Sequence, residues 1–121
     1  VDDDTFVLTV DSRLLRRAGY DVFEAMRAEQ AIDAVGKTAF DAVLTDIFMP
    51  GIGGIEGIIR IHALKPDLPI IAMSSGYEDM TSTIANEAAL KIGAVAVLSK
   101  PVEQTNLFAA VEKALGSVTK A

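Results

Sequence analysis

A chain of 121 residues, half of them hydrophobic and 23% charged, is one domain of ordinary size with material for a single core; it is not a disordered tail. A net charge of −6 argues against nucleic acid as a direct partner, because neutralising phosphates needs clustered Lys and Arg. The lack of cysteine excludes disulfides and Cys-ligated zinc, and no apolar run is of membrane-spanning length, which suits a cytoplasmic protein without a membrane partner.

The chain opens on an acidic cluster, Asp2, Asp3 and Asp4, unlike a signal peptide. Thr5–Val10 is rich in β-formers and could be a strand ending at Asp11. That would leave only Ser12 to Arg17 for a helix before Gly19, too short to cross back over a sheet. The recurrence of Val7, Val10, Leu14 and Ala18 instead predicts a helix over roughly Thr5–Arg17, N-capped by Asp4, with the basic run Arg13 to Arg17 on its exposed side. On this reading the acidic cluster follows a first strand of which only Val1 is present. Either residues precede Val1 or something else fills the slot.

Beyond that point short apolar runs alternate with amphipathic stretches. Strands are expected at Tyr20–Ala25, Ala42–Thr45, Ile70–Met73 and Ala94–Leu98, and helices at Glu29–Val35, Ile55–Leu64, Thr83–Ile92 and Gln104–Leu115. Turn signals at Gly19, Gly36, Pro50-Gly51, Pro66, Pro69, Gly76, Gly93 and Pro101 separate them. This alternation implies βαβ units and a parallel sheet covered on both faces. The whole of 1–121 reads as a single domain, with a core over 1–115 and a short polar tail over 116–121. No DNA-binding or catalytic effector is expected after Leu115, so the chain reads as a single-domain regulator or a piece excised from a longer one.

The most informative stretch is Phe40 to Gly54. An apolar run, Ala42 to Leu44, delivers Asp46 to a strand's carboxyl end, and a Met49-Pro50-Gly51 turn breaks the strand. Strand carboxyl ends are where open α/β sheets bind ligands. With Asp2 and Asp3 at the end of the first strand, about 4.8 Å away across a sheet, the carboxylates converge. Their mutual repulsion is relieved by a hard divalent ion, and Mg²⁺ takes a few carboxylates and prefers phosphate oxygens for the rest. Ser74 adds a hydroxyl and Lys100 a fixed positive charge, both at strand ends. The set fits phosphoryl transfer to a carboxylate. His62 reads as a partly exposed helix residue, and Met49 and Met73 as core fillers.

Val1-Asp2-Asp3-Asp4, Ala18-Gly19-Tyr20, Leu44-Thr45-Asp46, Met49-Pro50 with Gly54, Pro69-Ile70-Ile71 with Ser74, Gly93-Ala94 and Leu98-Ser99-Lys100-Pro101 together resemble a receiver domain of bacterial two-component response regulators, from Val1 to about Leu115. The resemblance implies a doubly wound (βα)₅ fold, flavodoxin-like, with strand order 2-1-3-4-5 and the first strand largely absent from the chain. It implies that Asp46 accepts a phosphoryl group from a sensor histidine kinase or a phosphotransfer protein. Mg²⁺ would be held by Asp2, Asp3, Asp46 and the backbone carbonyl of Phe48. Ser74 would be the switch hydroxyl and Lys100 the lysine that contacts the phosphoryl group. Thr83–Ile92, Ala94–Leu98 and Gln104–Leu115 would form the output face, read by a downstream protein or a covalently linked effector, or by a second copy in a homodimer.

Four positions depart from the family pattern. Val97 stands where an aromatic readout residue is usual, and Gly53 where Asp or Asn is frequent. Phe48 and Gly76 occupy the positions that tune hydrolysis of the phosphoaspartate, and slow hydrolysis is expected from them. Two other functions stay open. A haloacid-dehalogenase-type phosphatase also uses an aspartyl nucleophile with Mg²⁺, but it needs a second Asp at the position held by Phe48; Asp2 and Asp4 have the spacing, yet Phe6 stands where Thr or Val is expected. A receiver-like docking or dimerisation module that is never phosphorylated is the other alternative.

Overall fold

The computed structural model describes residues 1–47, 54–74, 87, 89–99 and 102–119. Helix α1 spans Thr5–Arg17, α2 Ala28–Lys37, α3 Gly54–Leu64 and α4 Gln104–Thr119; strands are β1 Val43–Asp46, β2 Ile70–Ser74 and β3 Ala94–Ser99. The helical reading of the N-terminal segment is correct. Asp4 caps it, its carboxylate accepting the Phe6 and Val7 amides at 3.0 and 3.3 Å. The helix turns inward a face shifted from the one its spacing suggests: Leu14 packs on the core and Asp11 and Ser12 are buried, while Val10 is 40% exposed.

The three strands form a parallel sheet in the order β1-β2-β3. Val43 to Asp46 pair with Ile70 to Met73, and the β2–β3 register runs to Ser74 opposite Ser99. Successive β2 side chains point to opposite faces, so β2 anchors two cores. Ile70 and Ala72 pack with Val35 of α2 and Ile58 and Ile61 of α3; Ile71 packs with Leu107, Val111 and Ala114 of α4, beside Leu14 and Leu15 of α1. Ile58, Ile70, Ile71 and Leu107 are fully buried, each worth roughly 1.5–3 kcal/mol of burial. Glu87 and residues 89–91 are helical, with Ala89 in the first core; the rest of the expected Thr83–Ile92 helix lies outside the described residues.

One expectation needs correction. Tyr20–Ala25 is not a strand of the sheet among the described residues. A strand exists only through its neighbour, and this segment has little beside it: the Asp2 amide donates to the Ala25 carbonyl at 3.1 Å. Helix α4 runs past Leu115 through Thr119, into the expected polar tail. Among the described residues no helix is long and apolar enough to cross a membrane.

Candidate functional site

Asp46 is the last residue of β1, and its backbone is held on both sides. Its amide donates to the Val1 carbonyl at 2.9 Å, the next amide, Ile47, donates to the Met73 carbonyl at 2.8 Å, and the Thr45 hydroxyl donates to the Asp46 carbonyl at 3.2 Å. The Val1 amino group donates to the Leu44 carbonyl. Val1 thus sits opposite Thr45 with the paired bonds of a parallel ladder, and this places the acidic residues that follow it beside Asp46. Asp2 is fixed further by its own carboxylate, which accepts the Asp4 amide at 2.9 Å. The N-terminal turn and the N-cap are therefore one device: Asp2 orders Asp4, and Asp4 starts the helix.

One carboxylate oxygen from each of Asp2, Asp3 and Asp46 lies within 4.8 Å of the others. Asp2 is 1% exposed and Asp46 5%, while Asp3 faces solvent. Three carboxylates at that separation, two of them out of bulk water, repel strongly and offer only hard oxygen donors, a set that fits a hard divalent cation. Ser74 ends β2, one residue past the Asp46–Met73 pair. Its hydroxyl is buried and has no hydrogen-bond partner among the described residues. A buried hydroxyl without a partner is costly, so the site is poised to receive a polar group there. Lys100 follows Ser99, the last residue of β3; Lys100 itself, Phe48, Gly53 and Gly76 lie outside the described residues. The structure thus brings together Asp2, Asp3 and Asp46 and puts Ser74 at the end of the adjacent strand. Asp11 and Ser12 were not foreseen as buried polar groups. The available signal was their place between Leu8 and Leu15 on a helix face, at i+3 and i+4.

This fold and site define a receiver domain. Residues 1–112 match the family model of the response regulator receiver domain, and the chain belongs to that family of phosphoacceptor signalling switches. It is 39% identical to the transcriptional regulatory protein ZraR of Escherichia coli K12 over 115 residues, which are 95% of this chain and 25% of ZraR. It is 35% identical to the transcriptional regulatory protein FixJ of Bradyrhizobium diazoefficiens, covering 95% of this chain and 54% of FixJ. The chain therefore spans about a quarter to a half of these relatives. The crystal structure of a CheY-like receiver domain protein from Methanospirillum hungatei superimposes with a TM-score of 0.88 at 28% identity, over 98% of this chain and 92% of that one.

Proposed function

We propose that Asp46 is the phosphoacceptor of this switch, and that the convergence of Asp2, Asp3 and Asp46 within 4.8 Å is the observation that carries this reading. An Asp46 carboxylate oxygen attacks the phosphorus of a phosphohistidine on a sensor histidine kinase or phosphotransfer protein. The P–N bond breaks as the P–O bond forms, the imidazole leaves with its electron pair, and an acyl phosphate remains on Asp46. Asp2, Asp3, Asp46 and the Phe48 carbonyl would hold Mg²⁺, which when bound neutralises charge on the phosphoryl oxygens. The bond from the Asp46 amide to Val1 and that from the next amide, Ile47, to Met73 hold Asp46 in place during the transfer.

The new phosphoryl group carries about −1.5 to −2 charges while the Asp46 carboxylate gives up its own, so the site gains about one negative charge and three strong acceptor oxygens. Ser74 meets it by donating its buried hydroxyl to a phosphoryl oxygen, and Lys100 supplies a positive charge. With Val97 where an aromatic is usual, the Ser74 movement is passed through the end of β2 to β3, to α4 and to the segment 83–92. That face would contact a downstream protein, a linked effector or a second copy. The chain catalyses only its own phosphorylation and dephosphorylation, and it acts in the cytoplasm beside its kinase.

The test is intact mass before and after incubation with Mg²⁺ and acetyl phosphate, beside an Asp46→Asn control. Gain of one phosphoryl group by the parent alone is expected. A folded parent that gains nothing sinks the proposal and leaves the docking module.

A further inference from the structure

Strand β1 turns Val43 and Thr45 to one face and Leu44 and Asp46 to the other. On the first face Val43, with Ile47 just past the strand, packs in the first core. Thr45 is the polar member of this row and is 3% exposed. A hydroxyl buried beside hydrocarbon is costly unless it is bonded, and a valine would fill the place without a polar atom. The Thr45 hydroxyl has its bond in a buried contact with the Asp46 carbonyl, to which it donates at 3.2 Å. That carbonyl belongs to the peptide that leaves Asp46.

The other end of the same peptide, the Ile47 amide, donates to the Met73 carbonyl at 2.8 Å, and the peptide that enters Asp46 is held by its amide's bond to Val1 at 2.9 Å. With the peptides on both sides of the Asp46 Cα fixed, the direction of its Cα–Cβ bond is fixed, and with it the line along which the carboxylate meets a phosphorus atom. Two of these bonds join backbone to backbone and need no particular side chain. The third depends on the hydroxyl of Thr45. We propose that Thr45 is a positioning residue for phosphoryl transfer, its hydroxyl holding the Asp46–Ile47 peptide from the first-core face of the sheet. This assignment rests on the reading of Asp46 as the phosphoacceptor. Thr45 itself stands on the face opposite the Asp46 carboxylate, so it acts through the backbone and not by contact with the phosphoryl group or the cation.

The test compares the parent with Thr45→Val, which removes the hydroxyl, and Thr45→Ser, which keeps it. Phosphoryl uptake is timed by intact mass, with Mg²⁺ and acetyl phosphate at concentrations beyond which the parent's rate no longer rises. Amide exchange is followed on the same proteins without either reagent. Thr45→Val is expected to take up the phosphoryl group at least threefold more slowly. Its Ile47 amide should exchange at least threefold faster, while the Ile71 and Ala72 amides of β2 keep the parent's rates. Thr45→Ser should stay within twofold of the parent in both measurements. An unchanged uptake rate or unchanged Ile47 exchange in Thr45→Val would overturn the proposal, as would a Thr45→Ser as slow as Thr45→Val. Faster exchange throughout β2 would also overturn it, since that marks a general loosening of the sheet and not the release of one peptide. A parent that takes up nothing brings down the reading of Asp46 and this assignment with it; a competent parent beside an indifferent Thr45→Val overturns this assignment alone.

Discussion

Replacing Gly93 by alanine tests how the start of β3 is packed. Gly93 has φ +123°, a backbone region that residues with a side chain rarely adopt. A Cβ there would lie 3.0 Å from Nδ1 of His62 and 3.2 Å from its Cγ and Cε1. The ring is half-buried and its Nδ1 is buried without a hydrogen-bond partner among the described residues, so it has little room to withdraw. The backbone contributes a cost of about 1–3 kcal/mol and the overpacking about 1–3 kcal/mol. A total loss of roughly 3 kcal/mol is expected, a large share of the stability of a domain this size. The two parts separate in a double-mutant cycle followed by urea denaturation. In a His62→Ala background the steric part disappears and the backbone part stays, giving a coupling of about 1–2 kcal/mol. Equal costs of Gly93→Ala with and without the ring would refute the packing argument, and a neutral Gly93→Ala would refute both parts.

Gly57→Ala sets helix propensity against close packing, because its Cβ would lie 3.0 Å from the Cβ of Ala28, which is 3% exposed. The propensity gain of about 1 kcal/mol is outweighed by overpacking of about 1–3 kcal/mol, so chemical denaturation should show a net loss of about 1 kcal/mol. Asp4→Ala removes the acceptor of the Phe6 and Val7 amides and should cost about 1 kcal/mol, while Asp4→Asn costs much less; thermal unfolding of the three proteins checks the order. Mg²⁺ at a hundred times its dissociation constant should stabilise the protein by about 2.7 kcal/mol relative to a chelator, and Asp2→Asn should abolish most of that gain. An unchanged shift in that variant would remove Asp2 from the metal site.

Most of the fold was legible because strand–helix alternation and turn residues are local signals. Asp4 could be assigned as a cap from its place before the helix, and Asp46 from its place after an apolar run. The failures share a cause, which is that they depend on partners distant in sequence. Tyr20–Ala25 has the composition of a strand, but a strand is defined by its ladder, and among the described residues its hydrogen bonds are a turn bond from Tyr20 to Leu15, the Arg16 side chain on Val22 and the Asp2 amide on Ala25. The inward face of α1 was only partly legible: of Val7, Val10, Leu14 and Ala18, Leu14 packs on the second core while Val10 and Ala18 are exposed, and Asp11 and Ser12 are buried in their place. In the site, Asp46 and the acidic pair could be joined by analogy of pattern alone. Their actual separation depends on the bonds of Val1 to Leu44 and Asp46, which no local motif encodes.

Those bonds join distant parts of the chain, the partners of the Val1–Leu44 contact lying 43 positions apart. The acidic cluster is therefore a conditional object: it exists only while Val1 and Asp2 stay docked between Ala25 and β1. Openings of this kind need far less free energy than global unfolding. Any cation that binds only the docked arrangement then draws on the same equilibrium that keeps Val1 and Asp2 in place. Docking of Val1 and ion affinity become two readings of one constant, so a change that loosens Val1 lowers the apparent affinity without touching a ligand.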